Sequence, residues 1–228
     1  MQNYDTNQIV AKMTQTTNAR DLFQSAYENR YTWDDQFPGM SAEIDIEQGN
    51  EIYSGSIQIN SDLTIEISGI ENEMVKKSVG TQLKDVVTHR KRRTFEETHG
   101  KNSFTLGETD DRGAVGIQVS GAAMGSEYKV RDRVICYVQR VVGQMTFYID
   151  THETLDTGEG YLPTRYEAVF RNTETGEMMQ QVQFEDRYQL VGDYFMLTHQ
   201  TLHTERPDEK VTTQFTYSKI KLLEPSVV

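Results

Sequence analysis

The chain has 228 residues, of which 36% are hydrophobic, with a mean hydropathy of −0.65 and a formal net charge of −12. That length suits one large β domain whose core needs no covalent staples, and the low apolar share fits sheets with one wet face. The acidity argues against nucleic acid as a main ligand, because phosphate binding requires an excess of Lys and Arg, and the many Tyr, Phe, Val and Ile residues argue against disorder.

Residues 1–17 (MQNYDTNQIVAKMTQTT) read as a polar tail without an apolar stretch or a small-residue cleavage site. No secretory signal is expected from them, and a cytoplasmic location is the default reading. Asn18 is placed to cap a helix over residues 19–30, with Leu22, Phe23 and Ala26 on one face and Tyr27 and Tyr31 at its edge. Phe37-Pro38-Gly39 breaks the pattern.

Alternation with period two follows. Ala42, Ile44 and Ile46 share one face, then Ile57 and Ile59 after the Gly49-Asn50 turn, then Leu63, Ile65 and Ile67 after Asn60-Ser61-Asp62. A second helix opens at Glu71 or Asn72 and carries the stripe Val75, Val79, Leu83 and Val86 as far as His89. From Phe95 onward, strand is expected to follow strand. The alternating sets are Phe104 and Leu106; Val115, Ile117 and Val119; Tyr128 and Val130; Val134, Cys136 and Val138; Met145, Phe147 and Ile149; Tyr166, Ala168 and Phe170; Val182 and Phe184; Tyr194, Met196 and Thr198; and Val211, Thr213, Phe215 and Tyr217. Connections this short force antiparallel pairing.

The fold expected is therefore mainly β (α+β), over residues 18–228. It is a curved antiparallel sheet or half-barrel of about a dozen strands, with two helices covering the concave face, since open twisted sheets of that size curl.

Charge is distributed unevenly. Residues 76–93 hold Lys76, Lys77, Lys84, Arg90, Lys91, Arg92 and Arg93, interrupted by Asp85 alone among acids. Arg90, Lys91, Arg92 and Arg93 are candidates for an anion site facing a membrane surface, an anionic ligand or an acidic protein. Cations near a helix C-terminus also complement its dipole without any partner.

Asp150 with His152, and His199 with His203, fall short of a metal-ligand set, so no metal and no cofactor is expected. Glu96, Glu97 and His99 could supply acid and base, but TFEETHGKN over residues 94–102 reads more simply as a turn with solvated charges. Cys136, the one cysteine, sits on an apolar strand as a packing residue. Trp33, Tyr128, Phe147, Tyr166, Phe170 and Tyr194 are the aromatic residues expected to line a concavity, against the alternative that they are core.

Several phrases carry a resemblance: Ala19-Arg20-Asp21-Leu22-Phe23, Tyr27-Glu28-Asn29-Arg30-Tyr31-Thr32-Trp33, Phe95-Glu96-Glu97 with His99-Gly100, Tyr128-Lys129-Val130-Arg131-Asp132, and Gly160-Tyr161 with Arg165-Tyr166. They resemble an uncharacterised family of cyanobacteria and plastid-bearing organisms, a domain of unknown function, and imply no functional residues. The element order is similar to the lipoprotein-localisation-factor fold, a curved half-barrel whose helices plug an apolar concavity that holds acyl chains. The expected function is non-enzymatic binding of a hydrophobic small molecule such as a lipid or pigment. The alternatives are a scaffold that binds an acidic partner protein, and a hydrolase or isomerase built on Glu96, Glu97 and His99 or on Asp150 and His152.

Overall fold

A computed structural model describes residues 18–121 and 126–224, so the polar tail expected over residues 1–17 lies outside the described residues. The described elements are α1 (Ala19–Glu28), β1 (Gly39–Gln48), β2 (Glu51–Asn60), β3 (Ile65–Ser68), α2 (Glu73–Arg90), α3 (Phe95–His99), β4 (Ser103–Thr109), β5 (Val115–Ser120), β6 (Ser126–Arg131), β7 (Val134–Val142), β8 (Met145–Asp156), β9 (Tyr161–Asn172), β10 (Met178–Val191), β11 (Tyr194–Arg206) and β12 (Glu209–Leu222).

All twelve strands form one antiparallel sheet in the order β3-β2-β1-β12-β11-β10-β9-β8-β7-β6-β5-β4. From β4 to β12 every neighbour in space is a neighbour in sequence, as short hairpins require. The exception is β1 against β12, which joins the first three strands to the last. Residues 69–102 must then cross from the β3 edge to the β4 edge, and α2 and α3 lie in that crossing. The sheet is an open, curved half-barrel with its helices on the inner face.

The helices start where their capping residues stand. Asn18 Oδ1 accepts from Asp21 N at 2.8 Å, and Asn72 Oδ1 accepts from Met74 N at 3.0 Å and Val75 N at 3.3 Å. On α1, Ala19, Phe23, Ala26 and Tyr27 are buried; on α2, Val75, Val79 and Leu83 are. Each large apolar side chain buried in this way contributes about 1.5–3 kcal/mol, which is what holds these helices down.

Two sequence expectations need correction. Residues 95–99 form a helix, not a strand or a turn of solvated charges. A reciprocal cap makes it: Glu97 N donates to Thr94 Oγ1 at 3.2 Å while Thr94 N donates to Glu97 Oε2 at 2.8 Å. Simple alternation also fails at two bulges. Between Lys129↔Tyr137 and Val130↔Ile135, Cys136 is the extra residue, so Ile135 and Val138 share a face although they are three apart. Between Arg187↔His199 and Tyr188↔Leu197, Thr198 is the extra residue, and Met196 and Leu197 are both buried.

With the register fixed, one row of side chains crosses the inner face from β12 to β4: Val211, Thr204, Val182, Ala168, Ile149, Val138, Tyr128, Ile117 and Leu106. One end of the sheet is plugged by residues 31–37. Trp33 stacks on Phe37 with ring centroids 4.2 Å apart, and Tyr31 and Phe37 meet Phe195 and Tyr194 edge-on. Tyr31 N donates to Tyr161 O at 3.0 Å and Tyr161 N donates to Asn29 O at 2.8 Å. This approach needs Gly160, because a Cβ there would lie 2.6 Å from Asn29 O.

Candidate functional site

The inner face is not one empty trough. Its two flanks are filled by separate cores. The larger core gathers α2 and residues 31–37 over β1, β2 and β10–β12, with Ile44, Ile46, Ile59, Met196 and Phe215 at its centre. The smaller gathers α1 and α3 over β5 and β6, where Phe23 touches Tyr27, Phe95, His99, Phe104 and Tyr128.

A strip of sheet lies between them. Phe147 and Ile149 on β8 face inward, are half-buried and belong to neither core; Val138 borders the smaller core, and Phe170 and Phe184 border the larger. Phe147 and Phe170 are cross-strand partners with ring centroids 6.3 Å apart. The rows alternate regularly from the β7–β8 hairpin inward: Val142 with Met145, then Phe147 with Phe170, then Val138, Ile149, Ala168 and Val182, then Tyr166 with Phe184. Val142 and Met145 at the hairpin are 57% and 37% exposed. The strip thus carries Phe147, Phe170 and Ile149 from a solvent-exposed mouth toward the stacked pair Tyr166 and Phe184, 4.5 Å between centroids, with Arg140 opposite Phe147 and Gln180 opposite Phe170 on the same face.

At its far end lies a buried polar cluster. Asp186 Oδ2 accepts from Tyr188 OH at 3.0 Å and from Tyr166 OH at 3.4 Å, and Oδ1 accepts from Gln200 Nε2 at 3.0 Å. The buried guanidinium of Arg90, at the last residue of α2, donates to Tyr188 OH at 3.2 Å. Loss of solvation raises the Asp186 pKa to about 6, against the opposing effects of the Gln200 and Tyr188 hydrogen bonds and the Arg90 charge. Burial likewise holds the Tyr166, Tyr188 and Tyr217 hydroxyls protonated, each raised further by the Asp186 charge. Among the described residues, Gln200 Oε1, Tyr217 OH, Trp33 Nε1 and Ser126 Oγ are buried without a hydrogen-bond partner. Buried polar atoms are nearly always paired, and two of these, Gln200 Oε1 and Tyr217 OH, belong to residues beside Asp186.

The residues singled out from sequence scatter over these features. Phe147, Phe170 and Tyr166 come together on the strip. Trp33 is in the larger core and Tyr128 in the smaller, both buried. Tyr194 lies in the plug, where its hydroxyl donates to Asp34 Oδ1 at 2.8 Å. The basic quartet divides: Arg90 points into the polar cluster while Lys91, Arg92 and Arg93 stay exposed. Asp186, Tyr188, Gln200 and Tyr217 were missed.

The acid–base candidates do not converge. Glu96 pairs with Arg20, Glu97 caps its own helix, and His99 points inward among rings, its Nδ1 3.1 Å from Asn102 Nδ2. Burial lowers the His99 pKa to about 4, so the ring is a neutral packing residue. Asp150 faces outward beside Tyr137 and Glu167, and His152, His199 and His203 are exposed. Among the described residues, no helix is long and apolar enough to cross a membrane.

A family model described as "Protein of unknown function (DUF3386)" matches residues 14–223. No curated protein matches the sequence. Among solved structures, similarity extends to a LolA superfamily protein from Nitrosomonas europaea, at 9% identity and a TM-score of 0.33 over 91% of this chain and 94% of that one. A domain described as outer membrane lipoprotein-sorting, from Vibrio parahaemolyticus, is similar at 12% identity and a TM-score of 0.34 over 90% and 94%. A DUF1329 family protein from Desulfovibrio piger is similar at 9% identity and a TM-score of 0.28 over 90% and 91%. Likenesses this remote do not bear on ligand or function.

Proposed function

The chain belongs to this family of unknown function, and we propose that it is a binding protein that takes a hydrophobic small molecule along the strip between its two cores. The observation that supports this most is that Phe147 and Ile149 face inward, half-buried, where neither core covers them. A sheet that only needed a core would bring its helices together over these rows. Instead Phe147 and Ile149 continue inward from the exposed Val142 and Met145, and the larger core covers the sheet only from Val182, Phe170 and Phe184 onward. Concave apolar surface with a few convergent polar groups at one end is the usual form of a small-molecule site.

Two measurements test this. Organic extracts of the purified protein, analysed by mass spectrometry, should contain an apolar compound. Ile149→Lys should weaken binding of the neutral fluorophore N-phenyl-1-naphthylamine more than tenfold while the melting temperature changes little, because Ile149 stands outside both cores and a lysine there can extend to water. Empty extracts together with unchanged binding by the variant would overturn the proposal.

A further inference from the structure

We infer that the cluster at the closed end of the strip is a subsite for a hydroxyl group on the ligand; this rests on the binding reading above and specifies the ligand class as an apolar molecule ending in an uncharged alcohol.

The charges point to a neutral group. Asp186 is screened by three donors, Tyr166, Tyr188 and Gln200, and is linked through the Tyr188 hydroxyl to Arg90. One buried cation and one buried anion joined through a single hydroxyl nearly cancel. A ligand carboxylate or ammonium would add a buried charge to a site whose own two charges already offset one another, with no counter-charge left to pair it.

The unused atoms point to the same group. Gln200 binds Asp186 through its amide nitrogen, which leaves Oε1 as an acceptor without a donor. Tyr217, on the adjacent strand and close enough to feel the Asp186 charge, has a buried hydroxyl without a partner. Both side chains are 4% exposed. An alcohol has one O–H of the kind Gln200 Oε1 lacks and lone pairs of the kind Tyr217 OH lacks, so its chemistry matches both atoms. A hydrocarbon end would satisfy neither, and sites with unpaired buried polar atoms discriminate strongly against ligands that cannot pair them.

The test is competition for bound N-phenyl-1-naphthylamine by 1-decanol, decane and decanoate at pH 7.5, on the full chain and on Tyr217→Phe. Expected is displacement by 1-decanol at a concentration at least tenfold below that for decane or decanoate. In Tyr217→Phe, a variant that removes a single buried oxygen, the preference over decane should shrink at least threefold while decane itself is unaffected. Equal displacement by decane and 1-decanol would overturn the hydroxyl subsite and leave the strip reading standing. Tighter displacement by decanoate would overturn it in favour of an anion site. An alcohol preference that Tyr217→Phe leaves intact would also overturn it. Failure of all three competitors would overturn the strip reading itself.

Discussion

Replacing Phe23 with alanine is expected to cost about 4 kcal/mol of stability, read as a lower urea midpoint, and to loosen one side of the sheet more than the other. Phe23 is 1% exposed at the centre of the smaller core, with ring contacts to Tyr128 at 4.7 Å, His99 at 5.0 Å and Phe104 at 5.4 Å. Truncation leaves a cavity that five aromatic neighbours cannot close, because rings do not fold inward to fill space. The smaller core is separated from the larger by the uncovered strip, so the damage should be local. Hydrogen exchange should accelerate over residues 103–131 and change little over residues 194–222. Uniform acceleration across the whole sheet would mean that the two cores are one.

The second large effect concerns Asp186→Asn, which is expected to stabilise the protein at pH 7.5 by about 3 kcal/mol. Burial raises the folded-state pKa of Asp186 from 3.8 to about 6. Between these values the native state binds more protons than the unfolded state, so stability from this group falls as pH rises through the window. The penalty is fully present above about 6 and absent below about 4. The amide can keep the network: its oxygen accepts from Tyr166 and Tyr188, and its nitrogen donates to Gln200 Oε1 once the Gln200 amide turns over. The gain should shrink as pH is lowered toward 4.5. His99 works in the opposite sense, since its pKa falls from 6.5 to about 4 and its neutral form is required, so it destabilises the fold as pH drops through that range. Because His99 is common to both proteins, the difference between variant and parent isolates Asp186. A variant less stable than the parent at pH 7.5 would mean that the carboxylate is a structural requirement and not a group retained at a cost.

How much of this was legible in the sequence follows from where alternation holds. Ile44 and Ile46, Ile57 and Ile59, and Val115, Ile117 and Val119 keep strict period two, and their strands stand where the pattern puts them. The stripe Val75, Val79 and Leu83 likewise defined α2. The bulges at Cys136 and Thr198 could not be read, because an extra residue leaves composition untouched and moves every later side chain to the other face. Helix α3 was hidden by its length: five residues show no periodicity, and the Thr94–Glu97 capping box was its single signal.

The polar cluster did leave traces. Val182, Phe184 and Asp186 continue one alternation, which places a carboxylate at a core-facing position. Arg90 falls seven residues after Leu83, on the buried stripe of α2, although the surrounding Lys91, Arg92 and Arg93 made it look like part of a surface patch. A charged residue that keeps the period of a buried face is the signal that would have found the site. What no pattern along the chain could supply is the gap between the cores, since it depends on how far two helices, α1 and α2, stand apart across the sheet.

The most direct test of the strip as a ligand path is a methyl NMR titration of isoleucine-labelled protein with 1-decanol. The Ile149 δ1 methyl should shift most, while Ile44, Ile46 and Ile59 in the larger core, Ile117 in the smaller, and the exposed Ile52 remain nearly still. An unmoved Ile149, or a largest shift at Ile52, would contradict the account.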